Sequence, residues 1–385
     1  MFLDRSKFGI ALICVITLLL LLTYRFIHPE TFTHLFHHHE DLYRGTNKSI
    51  PLTHNNITIL FWTPIWSRPM TEKNIPCGNI KCRVTPNRHL LQSSQAVVFH
   101  GWESDMIVAR KGTREARKNI PEVRHYNQYW VLLALEPPMY FSPRLQSFGN
   151  LFNWTMTYRS DSDIHLPYGK FQKLEKPIPV NGTEHLAKRK KLVSLVLSNC
   201  NDVPSKRLRL IKELQKYVKV DVYGKCGTFQ CKERTHAGCK QQLGNEYKFY
   251  LSFENSVCED YITEKIFQAY GAQMVPIVFG GGNYDRIVPP GSYININEFP
   301  TAKSLADYLL LLNSQDEKYL QYFEWKKNYI LKADYIGYDT GYCQMCQKIA
   351  LDFPSGKKSI IPNITDFMLN FQGGQPRCWS STIWQ

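Results

Sequence analysis

The sequence predicts an α/β protein built on parallel sheets, and two stretches carry that prediction. The first, Tyr247 to Gly282, reads YKFYLSFENSVCEDYITEKIFQAYGAQMVPIVFGGG. Within it, Tyr250 to Phe253 is a short apolar-aromatic run, the pattern of a buried strand. Polar Glu254-Asn255-Ser256 interrupts the run. A helix is then expected from Thr263, a good N-cap, with Ile266, Phe267, Ala269 and Tyr270 spaced to face a sheet. Gly271 suits the C′ position that closes a helix, and Met274 to Phe279 is a second apolar strand. The second stretch repeats the unit: strand Leu192 to Leu197, helix Pro204 to Tyr217 with proline in its first turn, strand Val218 to Tyr223.

A helix N-terminus at the C-terminal edge of a parallel sheet attracts anions. Glu264 and Lys265 sit side by side at one such place. A carboxylate and an ammonium together can hold a sugar hydroxyl and a phosphate. On spacing alone, a first-turn glutamate that suits the helix dipole beside a solvated lysine reads equally well. Arg207 lies near the start of the other helix, so both units aim a cation at the same sheet edge. Two such cations fit a ligand bearing a diphosphate.

A chain of 385 residues has room for two domains of ordinary size. With 43% hydrophobic and 13% aromatic residues it can bury real cores, which excludes a disordered protein. The net charge of +14 points to acidic partners: nucleic acid, an anionic membrane or a nucleotide-sugar. No zinc-finger, helix-turn-helix or RNP pattern accompanies the charge, which argues against nucleic acid.

Residues 1–7 carry Arg5 and Lys7, and residues 8–27 are nearly all apolar. A cleaved signal peptide and an uncleaved signal-anchor compete here. No small-x-small cleavage site follows, since Tyr24-Arg25-Phe26-Ile27-His28 is bulky throughout. The anchor is therefore expected: a cytosolic tail, one transmembrane helix, and a lumenal C-terminus. Its short span suits the thinner membranes of the early secretory pathway. Residues 28–55 lack periodicity and include His37-His38-His39, a solvated stem rather than a metal tract. Five glycosylation sequons, at Asn47, Asn56, Asn153, Asn181 and Asn363, agree with a lumenal location.

Ile57 to Trp62 reads as the first strand of a globular domain, Ala96 to Phe99 as another ending at His100, and Tyr129 to Leu135 as a third. The last stops abruptly at Glu136-Pro137-Pro138. A carboxylate held rigidly at a sheet edge, with its pKa raised by partial burial, makes a useful base; the plain alternative is a surface glutamate in a turn. Asp161-Ser162-Asp163 has the look of a DxD metal motif, but is also consistent with a structural pair. Residues 165–191 turn polar, proline-bearing and basic, which sets a domain boundary. The expected domains are thus 56–175 and 190–350, followed by an extension over 351–385.

Cys77 and Cys82 lie in a polar loop, and Cys200, Cys226, Cys231, Cys239 and Cys258 in the second half. Cys343-x-x-Cys346 and Cys378 come late. Cys343 and Cys346 have zinc-ligand spacing, whereas an oxidising lumen favours disulfides. Asp316 to Lys332, rich in Tyr, Phe and Trp, reads as one late amphipathic helix with its aromatic stripe in the core.

Several blocks together resemble the α1,3-fucosyltransferases. They are Phe253-Glu254-Asn255-Ser256, Asp260-Tyr261, Thr263-Glu264-Lys265-Ile266 and Val275-Pro276, with Phe152 to Arg159 and Asp161-Ser162-Asp163 as a second region. The resemblance spans roughly Ile57 to Cys346, in family order. It implies the GT-B arrangement, two Rossmann-like domains facing across a cleft, in a single-pass Golgi membrane protein. It implies GDP-β-L-fucose as donor, the 3-hydroxyl of a glycan N-acetylglucosamine as acceptor, and inversion in one displacement. Glu136 would be the general base, although the family has Ser where this chain has Pro137. Arg207 and Lys265 would meet the diphosphate, Glu264 the ribose hydroxyls, with Asn255 and Tyr261 near the phosphates. Asp161 and Asp163 would belong to a metal-independent scaffold, with no metal required and Mn2+ at most stimulatory. Cys77 and Cys82 would bridge to Cys343 and Cys346. A homodimer is compatible with this picture. A lectin-like or inactive paralogue would keep the cleft without turnover, but the full set Glu136, Arg207, Glu264 and Lys265 argues against it.

Overall fold

The computed structural model describes residues 44–46, 56–101, 120–140, 148–180, 189–201, 203–233, 235–333, 337–355, 359–370 and 376–384. The expected anchor at 8–27, the histidine run, and the sequons at Asn47 and Asn181 lie outside the described residues. Among the described residues, no helix is long and apolar enough to cross a membrane.

Two sheets organise the chain. The first contains β2 (Asn56–Phe61), β3 (Lys73–Cys77), β4 (Ile80–Thr85), β5 (Ala96–His100), β7 (Tyr129–Ala134), β8 (Trp154–Thr157) and β9 (Ile164–His165). Their order is β3-β4-β2-β5-β7-β8-β9. All neighbours are parallel except β3 and β4. Short β1 (Arg44–Thr46) and β6 (Val123–His125) pair separately. Every residue of β5 and β7 is buried, as the continuous apolar runs of parallel strands covered on both faces require.

The second sheet, wholly parallel, contains β11 (Lys191–Val196), β12 (Val220–Tyr223), β13 (Tyr247–Phe253), β14 (Val275–Phe279) and β15 (Ile294–Asn295), in the order β12-β11-β13-β14-β15. Helix α1 (Arg207–Gln215) connects β11 to β12, α2 (His236–Gly244) precedes β13, and α3 (Glu264–Gly271) connects β13 to β14. Both expected strand–helix–strand units are present. The lower helix boundaries differ in instructive ways. Helix α1 starts at Arg207 rather than Pro204, because Lys206 adopts a left-handed conformation with φ of 53°. Gly271 is the last helical residue of α3, not its C′ residue. The left-handed position falls on Gln273 (φ 62°), with Met274 N donating to Ala269 O and Gln273 N to Tyr270 O, both at 2.9 Å. That is the Schellman hydrogen-bond pattern.

Asp316 to Lys332 is not one helix. It divides into α6 (Asp316–Gln321), a 3-10 turn (Glu324–Lys327) and β16 (Tyr329–Ala333), after α4 (Tyr284–Ile287) and α5 (Ala302–Ser314). The chain turns extended there because β16 pairs antiparallel with β10 (Lys170–Lys173). Its aromatic residues Tyr319, Phe323 and Trp325 are nonetheless buried, as the stripe suggested.

Helix α7 (Tyr338–Asp352) then returns to the first half, burying Tyr342, Met345, Cys346 and Ile349 in the core shared with β2, β4 and β7. The expected limit of the second domain at 350 therefore needs correcting: from about 338 the chain packs on the first sheet. Disulfides Cys77–Cys343 and Cys82–Cys346 fasten α7 there, and Cys200–Cys226, Cys231–Cys239 and Cys258–Cys378 complete the set. Cys343 and Cys346 are thus disulfide partners, not zinc ligands. The same core takes in Tyr261, Ile262, Ile266, Phe267 and Tyr270, so the two halves share continuous apolar packing.

Two polar clusters are structural. Asp163 accepts hydrogen bonds from Thr155 N at 2.9 Å and Thr155 Oγ1 at 3.1 Å, and Asp161 accepts from Arg159 Nε at 2.9 Å. Asn153, expected as a glycosylation site, is 2% exposed. Its Oδ1 accepts from Trp130 N at 2.9 Å and from the Arg124 guanidinium, and its Nδ2 donates to Ser359 O at 2.9 Å. A side chain with its amide fully used in the core has no room for a glycan. Asn56 and Asn363 are exposed.

Candidate active site

Strand β7 delivers Glu136. The prolines that follow, Pro137 and Pro138, are buried, and the Tyr168 hydroxyl donates to Leu135 O at 2.6 Å, so the turn carrying the carboxylate is held on both sides. Glu136 itself is half-buried. Asn255 Nδ2 and the Tyr261 hydroxyl each lie 3.4 Å from its Oε2. Burial pushes the Glu136 carboxyl above the ordinary range. The Lys265 ammonium and the Asn255 bond pull it back, Glu264 and Glu254 add to the rise, and the net shift is upward. A carboxylate so tuned takes a proton more readily than a solvated one.

The second sheet contributes the cations. Strand β13 ends at Phe253, and the next residue, Glu254, is 1% exposed. Its Oε1 accepts from Thr263 N at 2.8 Å and from Thr263 Oγ1 at 2.9 Å, while Oε2 accepts from Lys265 Nζ at 2.8 Å. Thr263 precedes α3 as expected but its hydroxyl makes no capping bond; it serves Glu254 and receives Lys265 Nζ at 2.6 Å. Burial opposes the charge on Lys265, but the carboxylates of Glu254 and Glu264 outweigh it and hold the ammonium above the ordinary lysine range. Glu264, 3.6 Å from Lys265, shows the converse. Burial pushes its carboxyl up, yet Lys265 and Lys240 together hold it below the ordinary range. Arg207 is 5% exposed, with Nη1 donating to Phe253 O at 3.0 Å and a buried Nε that has no partner among the described residues.

These groups meet in one cleft of about 750 Å³. Glu136, Tyr168, Trp66 and Arg68 line it from the first half; Arg207, Lys240, Glu264 and Lys265 line it from the second. The volume suits a bound ligand the size of a nucleotide-sugar, within the 300–1,000 Å³ of typical small-molecule sites. Asn255 and Tyr261, expected beside the donor phosphates, do not line this cleft; their polar hydrogens address Glu136. The sequence alone assigns no role to Glu254, although it lies in the motif, and none to Lys240. Glu254 adjoins Asn255 in the motif, and an acid directly after a buried strand is the signal that marks it. Lys240, whose Nζ donates to Gln268 Oε1 at 2.8 Å over the Tyr250 ring, leaves no such trace in α2, which lacks an apolar stripe.

Comparison with known proteins agrees with this architecture. Residues 54–169 match the "Fucosyltransferase, N-terminal" family model, and residues 186–367 match "Glycosyltransferase family 10 (fucosyltransferase) C-term". An alpha-(1,3)-fucosyltransferase C of Drosophila melanogaster is 31% identical, over 75% of this chain and 69% of that protein. The alpha-(1,3)-fucosyltransferase fut-5 of Caenorhabditis elegans is 32% identical over 83% and 82%. The 3-galactosyl-N-acetylglucosaminide 4-alpha-L-fucosyltransferase FUT3 of Homo sapiens is 34% identical over 71% and 72%. A crystal structure of an α1,3-fucosyltransferase with GDP shares the fold at TM-score 0.50 and 16% identity, covering 84% of this chain and 96% of that one. With both family models matched in order along one fold, the chain belongs to glycosyltransferase family 10 and is an α1,3-fucosyltransferase.

Proposed function

We propose that the protein transfers L-fucose from GDP-β-L-fucose to the 3-hydroxyl of a glycan N-acetylglucosamine, inverting the anomeric centre in a single displacement. One observation carries this reading: a carboxylate at the end of a first-half strand, with its pKa raised, faces Arg207 and Lys265 across one cleft. Glu136 accepts the proton of the acceptor hydroxyl as that oxygen attacks C1 of fucose. The bond from C1 to the diphosphate oxygen breaks, and the negative charge gathering on GDP is met by Arg207, Lys265 and the N-terminus of α3. Each such donor lowers the barrier by about 3 kcal/mol when aimed at the charge that develops. Glu264, ionised beside Lys265, is suited to accept from the ribose hydroxyls. The cations neutralise the leaving group from the protein side, so transfer proceeds without an added metal, and Mn2+ acts at most as a stimulant. The enzyme works in the Golgi, held by a signal-anchor over residues 8–27 with its catalytic part lumenal.

The test uses the secreted fragment starting near Asn47, GDP-fucose, a panel of glycan acceptors, and EDTA present or absent. Addition of one deoxyhexose to an N-acetylglucosamine acceptor, surviving EDTA and matched by GDP release, is the expected result. Donor binding without transfer to any acceptor would support a glycan-binding protein instead. Failure to bind GDP-fucose would refute the donor assignment.

A further inference from the structure

The family match ends at residue 367, yet the chain beyond it is bonded into the donor-side motif. Cys378 is disulfide-linked to Cys258, between Asn255 and Thr263. Two backbone hydrogen bonds flank the bridge: Glu259 N donates to Arg377 O at 2.8 Å, and Trp379 N donates to Val257 O at 2.9 Å. Arg377 is 8% exposed. Its Nη1 donates to Glu259 on the motif loop, its Nη2 to Asp161 of the first half at 3.1 Å, and its Nε to Asn370 O at 2.7 Å. One guanidinium thus joins a carboxylate from each half. Farther on, Trp384 Nε1 donates to Phe299 O at 3.0 Å, and Arg209 of α1 donates to the carbonyls of Trp384 and Ile383, both at 2.8 Å. The far end is therefore anchored on the second half, two residues from Arg207.

The loop so held sets the two sides of the cleft against each other. Asp260 is left-handed, with φ of 57°. Non-glycine residues are uncommon in that conformation, and aspartate is among those that tolerate it when its short side chain is hydrogen-bonded locally. Its carboxylate accepts from Ser160 N at 3.0 Å and Ser160 Oγ at 2.6 Å, in the first half. The next residue, Tyr261, donates to Glu136, and Thr263 then opens the helix that carries Lys265. We infer that residues 376–384 form a strap that positions the motif loop for the reaction, with Arg377 as the positioning residue that sets Glu136 against Lys265. This rests on the donor site proposed above.

Two variants of the lumenal fragment test it: Arg377→Gln, and Cys258→Ser combined with Cys378→Ser. Each is assayed for kcat, for KM toward GDP-fucose and acceptor, for melting temperature, and for hydrogen exchange of amides 257–265 without ligand. Misplacement of a reacting group by an ångström costs up to 100-fold, so a combined loss of about tenfold or more in kcat/KM for GDP-fucose is expected in both variants. Exchange over 257–265 should accelerate about tenfold as the loop opens locally, while acceptor KM stays near wild type. A lower melting temperature with unchanged kinetics and unchanged exchange would overturn the inference, making the strap a staple only. If the wild-type fragment itself transfers no fucose, the donor reading fails, and accelerated or unaltered exchange still decides whether the strap holds the loop.

Discussion

Lys265 and Glu254 are joined by a 2.8 Å ion pair in which the carboxylate side chain is 2% exposed and the ammonium 21%. The pair turns a flexible lysine into a fixed cation at the mouth of α3. Burying Glu254 is tolerated because Thr263 N, Thr263 Oγ1 and Lys265 Nζ satisfy it. Lys265 has its pKa raised, so its stabilising contribution is fully present below the unfolded lysine value and is lost only as pH climbs through the folded one. Across neutral pH the cation is constant.

Lys265→Ala is therefore expected to do two things. It leaves Glu254 buried without its counter-charge, a change that costs about 3 kcal/mol of stability. It also removes a charge-assisted contact to the diphosphate, weakening GDP binding by roughly 30- to 100-fold. Calorimetric titration with GDP and a melting curve check both. Unchanged GDP affinity would remove Lys265 from the phosphate site.

Arg207 offers a buried Nε that has no partner among the described residues, while Nη1 is committed to Phe253 O. That geometry needs a planar, forked donor, and a lysine cannot reproduce it. Both Arg207→Ala and Arg207→Lys should weaken GDP binding by about tenfold or more. Full affinity in Arg207→Lys would show that charge alone, without the fork, accounts for the site.

The raised pKa of Glu136 has a kinetic and a thermodynamic sign. Transfer requires the ionised carboxylate, so kcat/KM should fall as pH drops through a value above the ordinary carboxylate range. For stability, a raised folded pKa means that the protonated group favours the fold. That contribution is present below the unfolded carboxylate value and is lost as pH rises through the folded one. At neutral pH ionised Glu136 is thus a net cost, and Glu136→Gln should melt at or above the wild-type temperature, with the gap closing in acid. A marked drop in melting temperature at pH 7 would contradict the desolvation account.

Asn153 makes a different kind of prediction. Glycopeptide mapping should find no glycan there, while Asn56 and Asn363 remain accessible. Asn153→Ala should destabilise the protein by about 1–3 kcal/mol, because it removes the buried Oδ1 that accepts from Trp130 N and from the Arg124 guanidinium, although Arg124 keeps its bonds to Leu151 O and Gln128 O. A mobility shift from glycan loss in that variant would count against the buried placement.

Much of the fold was legible because parallel strands buried on both faces are continuous apolar runs; β5, β7, β13 and β14 stand within a few residues of where those runs place them. Glu136, Arg207, Glu264 and Lys265 stood out as candidates because each sits where a strand stops or a helix starts, but only the family blocks set Glu136 above a surface glutamate in a turn and the Glu264–Lys265 pair above a solvated one. What escaped depends on partners distant in sequence. Thr263 looks like a cap until Glu254 claims its hydroxyl. Tyr329–Ala333 carries helical spacing, yet pairing with Lys170–Lys173 draws it into a strand. Tyr261 follows the donor motif in sequence but is turned toward Glu136 by the left-handed Asp260 before it. The sequon at Asn153 is a local pattern that ignores the strand beside it.

The central claim is that Glu136 is the base for a displacement whose donor is held by the other half. The most direct measurement compares Glu136→Gln with wild type, reading fucose transfer from GDP-fucose and GDP affinity on the same preparations. General-base loss of about 100-fold or more in kcat, with GDP affinity within about twofold of wild type, is the predicted result. Transfer at the wild-type rate by the Glu136→Gln enzyme would contradict the account.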